Sequence, residues 1–174
     1  FDGYCPSIMF GRKHPGKVCE SRVLASVRLP PLTYPCDGIQ HMLDQDLLSS
    51  LQLEGVLFAC QKHLSILPSG ERAGFFIGDG AGVGKGRQLA AIIAESTARG
   101  RRKHLWFSVS ADLTRDARRD FDDIGCRGIN IIDGCRALDR KKVFSDKTSE
   151  GVIFSTYASL PSQSRGSGKR LEQM

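Results

Sequence analysis

The chain has 174 residues, 40% of them hydrophobic and 25% charged, which are ordinary fractions for a soluble globular domain. Its formal net charge is +6, and such a basic balance favours a polyanionic partner, nucleic acid above all. No apolar run approaches the roughly 18 residues of a membrane span, so we expect no membrane partner. The chain begins at Phe1 and shows no secretion signal, which suggests a piece of a longer polypeptide.

The first 43 residues differ from the rest in composition. They carry most of the 7 prolines, and this density predicts an extended, proline-containing lead-in over 1–43 without regular helix.

From residue 44 onward the pattern alternates between helical and strand-like segments. The helical segments are Asp44 to about His63, the run after the glycine-rich stretch to about Ala98, and Asp112–Phe121. The strand candidates are 74–78, Leu105–Val109, Ile129–Ile132 and Gly151–Thr156. Strands that alternate with helices predict an α/β fold, with a parallel sheet and crossover helices.

The most informative stretch is the glycine-rich run from Gly78 to Arg87, which lies between a strand candidate and a helix. Glycines let successive N–H groups point inward, and the helix N-terminus adds unpaired donors and a partial positive charge. Lys85 supplies a cation for the outer phosphates. We therefore predict a phosphate site; the alternative is a flexible glycine loop without a ligand.

The match to the P-loop pattern G-x-x-x-x-G-K-[ST] is incomplete. Gly84 and Lys85 fill the central pair, but Asp79 replaces the first glycine and Gly86 replaces the hydroxyl residue that normally ligates magnesium. The glycines recur at every second position, and this spacing does not contain the pattern G-x-G-x-x-G. Dinucleotide-binding and protein-kinase loops are therefore poor fits.

Two other patterns carry less weight. The 6 cysteines form no C-x-x-C pair, and only Cys60 and His63 have a short metal-like spacing, so free thiols in a reducing compartment are expected. Basic residues form two groups, each of which is either a nucleic-acid contact or a solvated turn. The groups are Arg99, Arg101, Arg102 and Lys103, and then Arg165, Lys169 and Arg170.

The glycine loop and two later segments resemble the strawberry notch family, including the unusual Gly-Lys-Gly-Arg ending. The later segments are Leu105–Ser110 with Asp112-Leu113, and Gly151–Tyr157 with Ser159-Leu160. The resemblance implies a nuclear protein linked to transcription and chromatin, with a RecA-like P-loop lobe similar to superfamily 2 helicases and Swi/Snf-type ATPases. Residues 44–174 would be the first part of that lobe, ending before an acidic Walker B segment. Gln88 departs from the threonine expected after the Gly-Lys-Gly-Arg run.

The resemblance also implies roles for individual residues. Gln52 would read the adenine edge of ATP, or else be an ordinary polar residue on an amphipathic helix. Ser110 and Thr156 would touch a nucleic-acid backbone, or else serve as helix or turn caps. The residues that would hold ATP with Mg²⁺ are Gln52, Gly80, Gly82, Val83, Gly84, Lys85, Gly86 and Arg87.

Two functions from different classes remain open at this stage. One is an ATP-dependent nucleic-acid motor, supported by Lys85 and Gln52. The other is a nucleotide-responsive scaffold or co-regulator with little turnover, supported by Gly86. No catalytic or metal-ligating residue is assigned, and without Walker B acids or a second lobe this chain alone is expected to be inactive.

Overall fold

The computed structural model of the chain describes residues 2–134 and 150–160. Within these residues the five α-helices are α1 (Arg22–Ala25), α2 (Gln40–Asp44), α3 (Ser50–Lys62), α4 (Lys85–Ala98) and α5 (Leu113–Asp123). The strands are β1 (Asp2–Gly3), β2 (Cys19–Glu20), β3 (Lys103–Ser108), β4 (Ile131–Asp133) and β5 (Gly151–Thr156). Two 3-10 turns span Asp37–Ile39 and Tyr157–Ser159. None of the described helices is long and apolar enough to cross a membrane.

The main sheet has three parallel strands in the order β3-β5-β4. The register between β3 and β5 runs from Lys103 opposite Gly151 to Ser108 opposite Thr156. The predicted α/β fold with a parallel sheet is therefore confirmed. The central strand β5 is buried along most of its length, as expected for a strand that is paired on both sides and covered by helices.

Helices α3, α4 and α5 form the core together with the sheet. Trp106 of β3 packs edge-on against Phe121 of α5, with ring centroids 6.3 Å apart, and lies 5.9 Å from the ring of Phe154. Ala90 and Ala91 of α4 are fully buried and belong to this core.

The predicted helices after the loop and after β3 are confirmed, and Gly100 follows α4 with φ of 86°. The predicted helix from Asp44 is wrong at its start. Helix α2 ends at Asp44, the chain turns through Asp46 at φ of 50°, and α3 begins only at Ser50. A capping box at Ser49 starts this new helix, which the apolar spacing alone did not indicate.

The predicted strand over 74–78 is also wrong, because no strand forms there. The segment has no neighbouring strand in the three-stranded sheet, and Phe76 is 87% exposed. An apolar, extended run becomes a strand only where a partner supplies ladder hydrogen bonds and a face to pack against.

The prediction of a lead-in without regular helix is wrong, since α1 lies within residues 1–43 and α2 begins there and ends at Asp44. The lead-in is also attached to the rest of the molecule. Tyr34 donates to the buried carboxylate of Glu95 at 2.9 Å, and Arg99 donates to the Pro35 carbonyl at 2.8 Å. The boundary at residue 43 remains a prediction.

Candidate nucleotide-binding site

The backbone of the glycine loop adopts a conformation that side chains disfavour. Gly82 has φ of 84° and Gly84 has φ of 88°, both in the left-handed region where glycine carries no steric penalty. Gly84 is the N-cap of α4, and no side chain caps this helix end. The first N–H groups of an α-helix have no intrahelical acceptor, so the loop presents open donors at a positive helix end.

Lys85 is the first residue of α4, and its ammonium folds back over the loop. Its Nζ donates to the Asp79 and Gly80 carbonyls, each at 2.7 Å. The lysine thus bridges the start of the loop to its end. These are neutral acceptors, and a phosphate oxygen would bind the same ammonium more strongly because the acceptor is ionised.

Gln52 lies beside the loop on α3, but both ends of its amide are engaged within the protein. Its Oε1 accepts from the Ser49 backbone N–H at 3.1 Å, and its Nε2 donates to the Val83 carbonyl at 2.9 Å. A Cβ at Gly84 would overlap that Nε2 atom, so glycine is needed there for space as well as for φ. Gln52 therefore joins the α3 cap to the loop, and its reading of adenine stays a prediction.

Gln88 fills the position where the family resemblance led us to expect threonine. Its side chain is fully buried, and its Nε2 donates to Asp79 Oδ2 at 2.7 Å. A Cβ at Gly55 of α3 would overlap Gln88 Oε1. The glutamine thus spans the gap between α4, α3 and the loop start, which a shorter threonine side chain cannot reach.

Gly86, in the usual hydroxyl position, faces the side chain of Asp120 on α5. A Cβ at Gly86 would overlap Asp120 Oδ2, so the carboxylate occupies the place where a serine or threonine side chain would begin. Burial raises the pKa of the Asp120 carboxyl above its ordinary value, while Arg119 and Arg87 lower it. Sequence reasoning missed Asp120; its only signal was the glycine in the hydroxyl position.

The two arginines near Asp120 pair with other carboxylates. Arg87 of α4 forms a salt bridge with Asp123, and Arg119 lies 3.0 Å from Asp116. Arg87 Nε is buried and has no hydrogen-bond acceptor among the described residues. The predicted loop residue Arg87 therefore links α4 to α5 and retains one unused donor.

A cavity of about 260 Å³ opens where the loop meets the lead-in and α5. Its lining includes Gly82, Val83, Gly84 and Gln52, together with Arg12, His14, Arg87, Arg119 and Asp120. His14 Nε2 lies 3.4 Å from the Val83 carbonyl, so the lead-in forms one wall of the site. Arg12 and His14 carried no motif in the sequence, and only the fold brings them to the loop. Gly80, Lys85 and Gly86 do not line this cavity, although they flank it along the chain.

Ser110 and Thr156 lie at the same edge of the sheet, because Ser108 pairs with Thr156 and Ser110 follows two residues later. Ser110 Oγ accepts from the Asp112 N–H at 3.4 Å just before α5. Thr156 precedes the turn Tyr157–Ser159 but makes no side-chain cap there. Their contact with a nucleic-acid backbone stays a prediction.

The first basic group lies at the opposite edge of the sheet and runs from the residue after α4 to the first residue of β3. Arg99 bonds Glu95 at 2.5 Å, and Arg102 bonds Glu150 at 3.0 Å, so part of its charge is neutralised internally. The second basic group lies outside the described residues.

The described cysteines, Cys5, Cys19, Cys36, Cys60 and Cys126, are free thiols as predicted. Within 2–134 and 150–160, no group of three or more histidine, cysteine or acidic side chains could hold a metal ion. Burial raises the pKa of the Cys60 thiol to about 12, which suits a packing residue rather than a ligand.

A parallel sheet, a left-handed glycine loop and a lysine at the uncapped start of the following helix define part of a P-loop NTPase lobe. The profile of the P-loop containing NTP hydrolase pore-1 family matches residues 13–174. The chain is 48% identical to human protein strawberry notch homolog 2 and 43% identical to human protein strawberry notch homolog 1. Each of these matches covers 98% of the chain. Protein FORGETTER 1 of Arabidopsis thaliana is 44% identical over 97% of the chain. The chain belongs to the strawberry notch family, as its motifs predicted.

The match covers only a small part of the relatives themselves. The chain spans 12% of strawberry notch homolog 2 and 13% of both strawberry notch homolog 1 and FORGETTER 1. No solved structure matches the chain. The family assignment implies that this region binds nucleotide.

Proposed function

We propose that this region binds ATP, with the β- and γ-phosphates held by the loop from Gly80 to Arg87, as part of an ATP-dependent nucleic-acid motor. The observation that carries the proposal is the uncapped start of α4, which two left-handed glycines present next to Lys85. Such an end offers several N–H donors and a partial positive charge to one anion.

The charges around the loop support a polyanionic ligand. Arg12, Arg87 and Arg119 line the same cavity as the loop. Arg87 Nε is a buried donor without an acceptor in the described part of the chain, and such a donor is costly unless a ligand or water satisfies it. A phosphate in the cavity would lie beside the guanidinium groups of Arg12, Arg87 and Arg119 and act as their counterion.

Lys85 would exchange partners when ATP binds. In the free chain its ammonium bonds two loop carbonyls. Transfer of Nζ to the phosphates would release these carbonyls and let the loop open around the triphosphate. The net gain is the difference between a charge-assisted bond and a bond to a neutral carbonyl.

Removal of Lys85 tests the proposal. Hydrogen bonds between charged groups contribute about 1.5–3 kcal/mol, so Lys85→Ala should weaken ATP binding roughly 10- to 150-fold. The measurement is titration of a fluorescent ATP analogue into the full-length protein that contains this region. Lys62→Ala is the matched control, because Lys62 is exposed at the far end of α3. Equal affinities for the two variants would remove Lys85 from the site.

The proposal includes a nucleic-acid partner, and a nuclear role with transcription or chromatin proteins. Thr156 ends β5 and Ser110 follows the end of β3 by two residues, at the same edge of the sheet, so a single nucleic-acid strand could contact both. The first basic group lies at the other edge, roughly 20 Å away for a six-residue strand. It would therefore contact a different part of any bound nucleic acid.

A nucleotide-responsive scaffold is the second candidate, and Gly86 favours it because no hydroxyl is available there to ligate Mg²⁺. An ATPase assay on the full-length protein, with and without DNA or RNA, separates the two. Nucleic-acid-stimulated phosphate release supports the motor, whereas binding without turnover supports the scaffold.

A further inference from the structure

Among the described residues, the Asp120 carboxylate faces the position of the missing hydroxyl. A Cβ at Gly86 would overlap Asp120 Oδ2, so an oxygen atom already occupies the space next to the residue that follows the loop lysine. The same side chain lines the cavity beside Gly82 and Gly84. The loop therefore has an oxygen at this place, supplied by α5 rather than by the loop itself.

The Asp120 carboxylate makes no hydrogen bond or salt bridge with the described residues, although two arginines lie near it. Arg87 forms a salt bridge with Asp123, and Arg119 forms one with Asp116, so both guanidinium groups bind neighbouring carboxylates. Burial raises the pKa of the half-buried Asp120 carboxyl, and Arg119 and Arg87 offset that effect only in part, so its charge is incompletely compensated. A cation in the cavity would compensate it.

The chemistry of the site suits Mg²⁺. This ion prefers oxygen ligands, and with nucleotides it is usually held by one or two carboxylates plus phosphate oxygens and water. The described lining of the cavity holds one carboxylate, Asp120, and the three guanidinium groups of Arg12, Arg87 and Arg119, which suit the phosphates that would complete the magnesium coordination. The residues present therefore fit a magnesium–nucleotide complex.

We propose that the Asp120 carboxylate ligates the magnesium of bound nucleotide, in place of the P-loop hydroxyl that Gly86 lacks. The inference rests on the proposed ATP site. When bound, Mg²⁺ neutralises charge on the β- and γ-phosphates. Gly86 is then a requirement of the arrangement, because any side chain there would displace the carboxylate.

The proposal predicts opposite effects of one substitution in the presence and absence of magnesium. Without Mg²⁺ the Asp120 carboxylate repels the phosphates, so Asp120→Asn should bind ATP somewhat more tightly than the unmodified protein in EDTA. With Mg²⁺ the variant lacks an anionic ligand, and the tightening of ATP binding by Mg²⁺ should fall by about 10-fold or more, since even indirect metal partners change metal affinity 10- to 100-fold. A purely structural role would weaken binding under both conditions.

The experiment measures the affinity of the full-length protein for a fluorescent ATP analogue in EDTA and in Mg²⁺. Electron paramagnetic resonance of Mn²⁺ reports the bound metal directly. Asp122→Asn is the matched control, because Asp122 is exposed on the same helix and its substitution removes the same charge. The double variant Gly86→Ser with Asp120→Ala should regain part of the Mg²⁺ effect, because the serine hydroxyl then has room.

Binding in EDTA separates the two proposals, since it shows that the folded site accepts ATP. If the unmodified protein binds ATP in neither condition, the proposed function fails, and this inference fails with it. If it binds ATP, and Asp120→Asn keeps both the full Mg²⁺ effect and the unmodified Mn²⁺ signal, Asp120 is not a metal ligand and the ATP site stands.

Discussion

Gly84→Ala should disrupt the loop for two separate reasons. The backbone at this residue has φ of 88°, and a left-handed conformation costs a residue with a Cβ about 1–2 kcal/mol. The new Cβ would also overlap Gln52 Nε2 and break its bond to the Val83 carbonyl. A buried polar group left unpaired costs about 1–3 kcal/mol, so the native loop should be disfavoured by about 2–5 kcal/mol.

This cost should appear in nucleotide affinity. Apparent affinity falls with the fraction of protein in the competent conformation, so about 2 kcal/mol corresponds to a loss of roughly 30-fold, and larger costs to more. The assay is titration of a fluorescent ATP analogue into the full-length protein, with hydrogen exchange across the loop and α4 as a measure of local order.

Gly74→Ala is the matched control, because it lies outside the proposed site, a Cβ there meets no atom within 4 Å and the residue has no left-handed φ. It should change affinity by no more than about 0.5 kcal/mol, or roughly 2-fold. In a protein that also carries Gln52→Ala, the new Cβ has no Nε2 atom to overlap. Gly84→Ala should then cost only the free energy of the left-handed backbone conformation. Equal losses for Gly84→Ala and Gly74→Ala would refute the reasoning.

Two further predictions concern recognition and turnover. Gln52→Ala should reduce the preference for ATP over GTP if its amide reads adenine, and it should also loosen the loop because the Val83 carbonyl loses a donor. Competition between the two nucleotides measures the preference, and hydrogen exchange measures the order of the loop. Unchanged selectivity would show that Gln52 only holds the loop in place. The purified 174-residue chain should release phosphate from ATP only at background rate, with or without nucleic acid. It holds no D-E-x-H-like acidic segment and no arginine from a second lobe, and such an arginine alone raises the rate roughly 10³- to 10⁵-fold. Robust turnover would mean that the site has been misinterpreted.

The sequence predicted those features that depend on neighbours along the chain. Alternating glycines before Lys85 and an apolar helical run after it are local properties, and the loop and α4 formed where expected. The strands β3 and β5 were predicted from short apolar runs, and their parallel pairing followed from the helix between them.

The errors fall where a remote partner decides the outcome. The run at 74–78 has strand-like composition, but no strand lies beside it in the described sheet. The apolar spacing continued smoothly through residues 44–50, whereas the capping box at Ser49 set the true start of α3.

The sequence by itself determined the family, the glycine-rich loop before α4 and the α/β class, because each is encoded by residues close together in the chain. Only the tertiary structure placed Asp120 against Gly86 and His14 against Val83. These contacts join residues 34 and 69 positions apart, and neither partner carries a local pattern that names the other. A glycine in the sequence shows that a side chain is missing, whereas the fold shows which atom occupies the space.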